Sequence, residues 1–457
     1  MAVVFVALVA GVALAPLWLG GARPIAWGAS GLFFAALVLA FETLLVARGQ
    51  HHPFALARIA APALLFSATV VWIGVQMSTR VPPALAHPAW AMAALELGRP
   101  LEASISVNRG ATALALVRLL TDASVFWLAL QLCRAPARAL VFLKAFTLIV
   151  AAYAALGLAL AAFASARIPL PDAPDSSGFV RATFVNRNHF ATFAGLGLAT
   201  GFALLLRQWR RAGAGAPAPG AWRAVQALEA TARRGWVVLG CCLVTLAALL
   251  GTASRGGVLA AGLGLLAVLV LSARGHRRRP RQQVEIILAA ALLLAIAFIA
   301  FGDPALERLA ASGMTDANRG AVYAIVVRAI CDAPLTGFGY GAFADIFPLY
   351  RDASISPVGV WDKAHNVYLE VWAGLGLPAG TALMGAVALA AIQCAAGALR
   401  RHRDATPAIV GVAASLVVGL HALVDFSVQI QGVSVAFMAL LGAGVAGSES
   451  SRQPVAD

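Results

Sequence analysis

Charge is scarce in this 457-residue chain. Only 12% of residues are Asp, Glu, Lys or Arg, against 61% hydrophobic, and mean hydropathy is +0.84. A water-soluble domain carries about 25% charged residues. The deficit excludes a surface wetted on all sides and leaves lipid as the main solvent. Alternating apolar and polar runs are missing too. The apolar runs are continuous and long enough to cross about 30 Å of hydrocarbon as helices, and in lipid only helices or closed barrels satisfy the backbone. Cysteine is sparse, with five in all. Cys133 falls in a basic loop, Cys241, Cys242 and Cys394 in apolar runs, and Cys331 in an external loop without a partner, so no disulfide framework is expected. No basic stretch precedes the first apolar run, so the N-terminal segment is read as a retained helix rather than a cleaved signal. No internal repeat is visible.

What is present fits an all-α, polytopic membrane protein of about twelve transmembrane helices forming a single domain over 1–457. Helices are expected near 3–19, 25–47, 59–78, 111–132, 140–164, 189–206, 235–253, 257–272, 284–302, 376–397, 408–424 and 432–447. The net charge of +14 does not point to nucleic acid, because the basic residues sit in short loops between apolar runs. One alternating set of loops, holding Arg48, Arg58, Arg134, Arg138, Lys144, Arg207 to Arg234, the HRRRPR run at 276–281, Arg400 to Arg403 and Arg452, is basic and poor in acids. The positive-inside rule puts that set and both termini in the cytoplasm. Arg23, in the first outside loop, is the weak exception. The segment around Ala212–Gly220 reads as a flexible linker. The longest non-cytoplasmic loop is 303–364, inserted between helices 9 and 10 and carrying helix-like segments of its own.

Polar clusters interrupt the apolar chain on that outer face: Asn186-Arg187-Asn188-His189, Ser254-Arg255-Gly256-Gly257, Asn318-Arg319-Gly320, Pro334 to Gly341, Asp362 to Glu370, and His421 with Asp425. Arg187 reads either as a snorkelling interfacial residue or as a ligand-facing one. Arg255 stands in a turn too tight to snorkel, so it is expected to face a cavity. The glycines at 337, 339 and 341 mark tight turns first and a phosphate cradle second. No Walker-type lysine follows them, so nucleotide binding is not expected. Asp362 is read as the N-cap of the helix that begins near His365. His421 and Asp425 stand one turn apart and are spaced to hydrogen-bond each other. Arg118 and Asp122 have the same spacing and read as a self-neutralising buried pair; with Glu42 they are the only deep charges. Arginines 187, 255 and 319 and His365 come from separate segments yet share one face. Arginine suits a bidentate grip on phosphate, and histidine suits proton abstraction near neutral pH. No Asp-x-Asp pair or Cys/His cluster with metal-ligand spacing stands there, so neither a metal nor a cofactor is expected.

NRNHFA at 186–191, SRGG at 254–257, Arg319 followed by PLTGFGYG, HNVYLE at 365–370 with GLGLPAG at 374–380, and HALVDF at 421–426 together resemble the O-antigen ligase and polymerase family. Their order and spacing resemble that family from about residue 100 to 445. The resemblance implies a GT-C-like membrane glycosyltransferase of the bacterial inner membrane that takes glycan from undecaprenyl diphosphate at the periplasmic face, without metal. The acceptor would be a glycan, lipid A–core or protein. It implies diphosphate-facing roles for Arg255 and Arg319 and a base role for His365. Arg187, Asn186, Asn188, Tyr368, His421 and Asp425 are the candidate substrate-binding residues. His189 and His421 are the fallback bases.

Two rival functions remain at this point. One is a protein O-oligosaccharyltransferase, which shares these motifs. The other is a transporter of a small anion such as bicarbonate. A transporter sets its charges near the bilayer midplane on broken helices, often in repeated halves, whereas most charges here gather at one face.

Overall fold

The computed structural model describes residues 1–163, 178–214, 221–273, 316–355, 361–400 and 404–449. Among them the secondary structure is helical, without a strand. The first half contributes α1 (Ala2–Leu14), α2 (Pro24–Ala47), α3 (Ala60–Met77), α4 (Ala89–Leu97), α5 (Arg109–Leu132), α6 (Pro136–Ala162) and α7 (Arg187–Ala214). The second contributes α8 (Ala221–Gly251), α9 (Arg255–Ala273), α10 (Asp316–Asp332), α11 (Phe343–Tyr350), α12 (Val367–Arg400), α13 (Thr406–His421) and α14 (Gln431–Ser448).

Eight stretches are long and apolar enough to cross a membrane: 24–47, 56–77, 109–132, 136–162, 187–212, 255–273, 367–400 and 431–448. Three further apolar helices, 2–14, 235–251 and 406–421, are shorter. The expected helix at 284–302, HRRRPR at 276–281, Asp303 and the rest of 303–315 lie outside the described residues.

Local chemistry sets the boundaries. Proline at the first turn starts α2, α6 and α13, where its missing N–H is no loss. The first expected helix, 3–19, stops at Leu14; Ala15 keeps helical angles, φ −53° and ψ −40°, and the chain then turns into a short 3-10 segment at Leu19–Gly21. The expected helix 376–397 begins earlier, at Val367. It contains a break at Gly376, whose φ of 77° and ψ of 164° leave the helical region, two residues before Pro378.

Burial separates core from lipid. In α7 and α14, 83% of the span is buried; in α2 the share is 22% and in α3 17%. The first two are therefore interior helices. The others turn apolar side chains such as Leu32, Leu39, Leu64 and Val71 outward, as a helix bathed in lipid should. α7 packs against α6, α8, α9 and α13, and α14 against α5, α12 and α13. Small residues permit this closeness: a methyl group on Gly444 would come within 2.8 Å of the Gly411 Cα.

The bundle has two unlike ends. At one, Arg207 and Arg211 meet Asp404, Arg210 donates to the Ser272 carbonyl, Arg134 donates to the Ala446 and Glu449 carbonyls, and Arg58 pairs with Glu449. All these arginines come from the loops assigned by sequence to the cytoplasm. The starts of α7, α9 and α12 and the end of α13 gather at the other.

Candidate active site

Four connections build the second end. Before α7, the Asn186 side chain accepts from the Asn188 N–H at 2.8 Å, turning the chain into the helix. Before α9, Thr252 Oγ1 accepts from Ser254 N, and Ser254 Oγ accepts from Gly257 N at 3.3 Å. SRGG is thus a helix start in which serine is the cap and Arg255 the first residue. Gly256 stands directly against α13: a methyl group there would lie 3.1 Å from the His421 ring.

The third connection leads into α12. Asn366 Oδ1 accepts from Leu369 N at 3.1 Å and is the cap. This corrects the expectation for Asp362, which is exposed and four residues too early. Both residue types cap well, so spacing alone did not separate them. Glu370 is buried. Its Oε2 accepts from the Ala364 N–H at 2.9 Å, and its Oε1 lies 3.4 Å from Lys363 Nζ. Between these anchors His365 takes a left-handed φ of 53°, and the Tyr323 hydroxyl, from α10, donates to the His365 carbonyl at 3.0 Å.

PLTGFGYG docks against the break in α12. Phe338 and Gly339 N–H groups donate to the Ala373 and Gly374 carbonyls at 3.0 Å each. Gln76 donates to the Thr336 and Gly374 carbonyls and accepts from Tyr340 N. A methyl group on Gly337, at φ 64°, would stand 2.4 Å from the Gly374 carbonyl. These glycines serve backbone approach, in line with the tight-turn reading.

At the end of α13, Asp425 is almost fully enclosed. It accepts from the Asn188 amide at 3.3 Å and from the Ser427 hydroxyl, and its Oδ2 faces His189 Nε2 across 3.8 Å. His421 pairs instead with Thr192 Oγ1, at 2.6 Å from Nδ1. His421 and Asp425 are joined only through backbone, the Asp425 N–H donating to the His421 carbonyl. Their side chains do not bond each other, because each finds a partner on α7 first. Phe426 lies between His189 and His365, 4.7 and 5.0 Å from their ring centres.

The expected site residues therefore fall into groups. His365, His421, Asp425 and Asn188 cluster: Asn188 donates to Asp425, which is electrostatically coupled to both histidines. Arg319, on α10, is within electrostatic reach of His365 and His421. Arg255 opens α9 next to Gly256, the residue that packs against the His421 ring, and its Nε and Nη2 are buried without a hydrogen-bond partner. Arg187 stacks on the Phe179 ring at 4.0 Å and leaves Nη1 buried and unpartnered. Tyr368 donates to the Gly419 carbonyl at 2.7 Å, tying α12 to α13. Thr192, Tyr323 and Ser427 were not expected, since a single hydroxyl residue carries no signal of its own, and Phe426 enters only as the last residue of HALVDF. Arg118 and Asp122 are both buried and electrostatically coupled, as expected of a pair, but each takes another direct partner. Arg118 lies over Trp27 at 4.6 Å, Asp122 accepts from Ser434 at 2.8 Å, and the two form no ion pair. Glu42 accepts from Trp127 and faces His52.

Burial pulls the His365 imidazole below its ordinary value; Asp425, Glu370 and Asp362 pull it up, and Arg319 pushes it further down. Its Nδ1 has no hydrogen-bond partner. Burial alone would raise the Asp425 carboxyl, but His189, His421, Ser427 and His365 outweigh it and hold it below the usual carboxylate range. The site thus presents an imidazole held toward its neutral form, a nearby carboxylate, and the Arg255 guanidinium with two unpartnered nitrogens. Among the described residues, no three His, Cys, Asp or Glu side chains are arranged to hold a metal ion.

Residues 240–384 match the protein family described as O-antigen ligase. Over that segment the chain is similar to the O-antigen ligase family, in line with the resemblance its motifs carry. It covers about a third of the chain and contains Arg255, Arg319, His365 and the PLTGFGYG run. The NRNHFA and HALVDF motifs lie outside it, yet they pack onto the same end of the bundle. A comparison with curated proteins finds no match. The chain thus combines eight helices long and apolar enough to cross a membrane with a segment similar to O-antigen ligases.

Proposed function

We propose that the protein is an inner-membrane glycosyltransferase that moves glycan from an undecaprenyl-diphosphate donor to an acceptor hydroxyl at the periplasmic face. The observation that carries this reading is the convergence of Arg255, Arg319 and His365, from three separate segments of the family-matched stretch, on one end of the bundle. His365, held neutral by burial, accepts the proton of the acceptor hydroxyl. That oxygen attacks the anomeric carbon from the side opposite the diphosphate and inverts it. The carbon–oxygen bond to the diphosphate breaks, and its electron pair leaves with the phosphate. Arg255 and Arg319 stabilise the charge growing there, and their planar forks match phosphate oxygens. No step calls on a metal. The basic end of the bundle is cytoplasmic in this reading. GT-C-like architecture and the count of twelve spans belong to the same proposal.

The test is glycan transfer in membranes from a lipid-linked donor, normalised to protein level. His365→Ala should lose about 10²–10⁴-fold, the usual worth of a general base, with donor binding retained. Retention of more than about a tenth of wild-type activity lies outside that range and would move the base to His189 or His421. Transfer should also survive EDTA; loss on chelation with rescue by Mg²⁺ or Mn²⁺ would remove the arginine-only account.

A further inference from the structure

We infer that Glu370 is a positioning residue that holds His365 in its working orientation, an inference resting on the base role proposed for His365. A buried carboxylate is costly to desolvate unless its oxygens are satisfied. Glu370 is 7% exposed, and Asn366 already caps α12, so the helix start does not require it. Both of its oxygens instead reach back over the preceding turn. One accepts from the Ala364 N–H at 2.9 Å, and the other faces the Lys363 ammonium at 3.4 Å. Those are the two residues immediately before His365.

The geometry matters because His365 is left-handed, at φ 53°, a region that L-residues occupy at a cost. Such a conformation persists only when its surroundings over-determine it. The residue on its N-terminal side, Ala364, is pinned through its own N–H by Glu370. The peptide on its C-terminal side is pinned by the Tyr323 hydroxyl at the His365 carbonyl, 3.0 Å away. Two residues on, the Val367 N–H is fixed to the Ala422 carbonyl at 2.9 Å. With the backbone held so, the imidazole stands between Trp361 and Phe426, 5.8 and 5.0 Å from their ring centres. Releasing the Ala364 tether lets the loop relax toward ordinary φ and moves the ring away from Arg319 and Asp425, the charges that act on it.

The charged groups around His365 are Asp425 from the α13–α14 connection, Arg319 from α10, His189 from α7, Asp362 from its own loop and Glu370 from α12. Glu370 therefore also favours the protonated imidazole.

The experiment compares Glu370→Ala, Glu370→Gln and His365→Ala in full-length protein in membranes. It measures kcat, KM for the lipid-linked donor and the pH dependence of kcat. Glu370→Ala should lower kcat by about 10- to 100-fold, the range of a displaced catalytic group, with KM little changed. Glu370→Gln keeps an oxygen for the Ala364 N–H and should recover most of that loss. Its acidic limb should move to lower pH, because the carboxylate no longer supports the imidazolium. A purely structural role predicts less folded protein but an unchanged kcat per folded molecule and an unmoved limb; that result overturns the proposal. If Glu370→Ala does not accumulate, the Glu370→Gln limb decides: a wild-type position rejects the assignment. Should His365→Ala stay active, the base reading itself falls. Collapse of His365→Ala beside a normal Glu370→Ala rejects the positioning role alone.

Discussion

At the scale of single residues, three side chains differ in what a conservative change should do. Arg255 offers two buried, unpartnered nitrogens, and lysine brings a point charge rather than a fork. Arg255→Lys and Arg319→Lys should therefore lose much of the transfer rate while reaching the membrane normally. Near-wild-type rates in both would reduce them to general electrostatics. Because burial lowers the His365 value, the base form predominates at neutral pH and is lost as pH falls through a value under about 6.5, the ordinary histidine value. The acidic limb of kcat should accordingly lie below pH 6.5, and a limb at or above it contradicts the environment described. The roles of the caps can be separated by stability: Asn366→Ala should cost about 1 kcal/mol, and Asp362→Ala close to nothing, read as Tm in detergent. Much of this was legible in the sequence, because Arg255, Arg319 and His365 stand out as charge in an apolar chain. The cap was not, since Asp362 and Asn366 are chemically alike and only the helix start decides between them. Nor was Glu370, whose tether to Ala364 exists only once the turn before α12 is folded.

At the scale of elements, the break in α12 organises the site. Its first ten residues carry Glu370 and Tyr368, and the remainder spans the bundle. PLTGFGYG fills the gap between the two pieces with backbone alone. A side chain at Gly337 would strike the Gly374 carbonyl at 2.4 Å, and one at Gly376 the Leu335 carbonyl at 2.4 Å, each at positive φ. Gly337→Ala and Gly376→Ala should each lower stability by at least about 1–2 kcal/mol from the backbone conformation alone. They should also reduce transfer, seen as a lower Tm with a lower rate per folded molecule. Unchanged Tm in both would show that the glycines are incidental. Among the described residues, each apolar run expected from the sequence overlaps an observed helix. Sequence periodicity placed the start of α12 nine residues late, because a glycine-rich stretch with Pro378 reads as a boundary when it is an internal kink. It also had no way to identify α4, whose nine residues are too few for a periodic signal.

At the scale of the whole molecule, the separation of an arginine-rich end from a histidine-rich end turns a loop-charge pattern into an orientation. If the basic end is cytoplasmic, a reporter fused after Ala212 should be active as a cytoplasmic marker, and one fused after Ser354 only as a periplasmic marker. The reverse pattern would place the catalytic end in the cytoplasm and remove the lipid-linked donor from consideration. The charge bias was readable because it is spread over many loops. Which helices sit inside the bundle was not, because α7 and α14 differ from their neighbours in what surrounds them rather than in composition: both are apolar, but one set meets protein and the other lipid.

The left-handed backbone of non-glycine residues has a thermal consequence. Leu19, Ala182, Ala253 and His365 all have φ between 48° and 53°, and all four lie in connections that pack around the catalytic end. At about 1–2 kcal/mol each, against a net folding free energy of about 5–15 kcal/mol, they make that end the first to open. Gentle heating should therefore silence the enzyme while its helices are still intact. Circular dichroism would stay flat through the temperature at which transfer fails, and amide exchange would quicken first around 182, 253 and 365, with α14 still protected. Ala253→Gly, which frees the backbone without touching a catalytic group, should push the inactivation temperature up toward the melting of the helices. Inactivation and helix loss that coincide in the wild type would mean that the molecule fails as one unit.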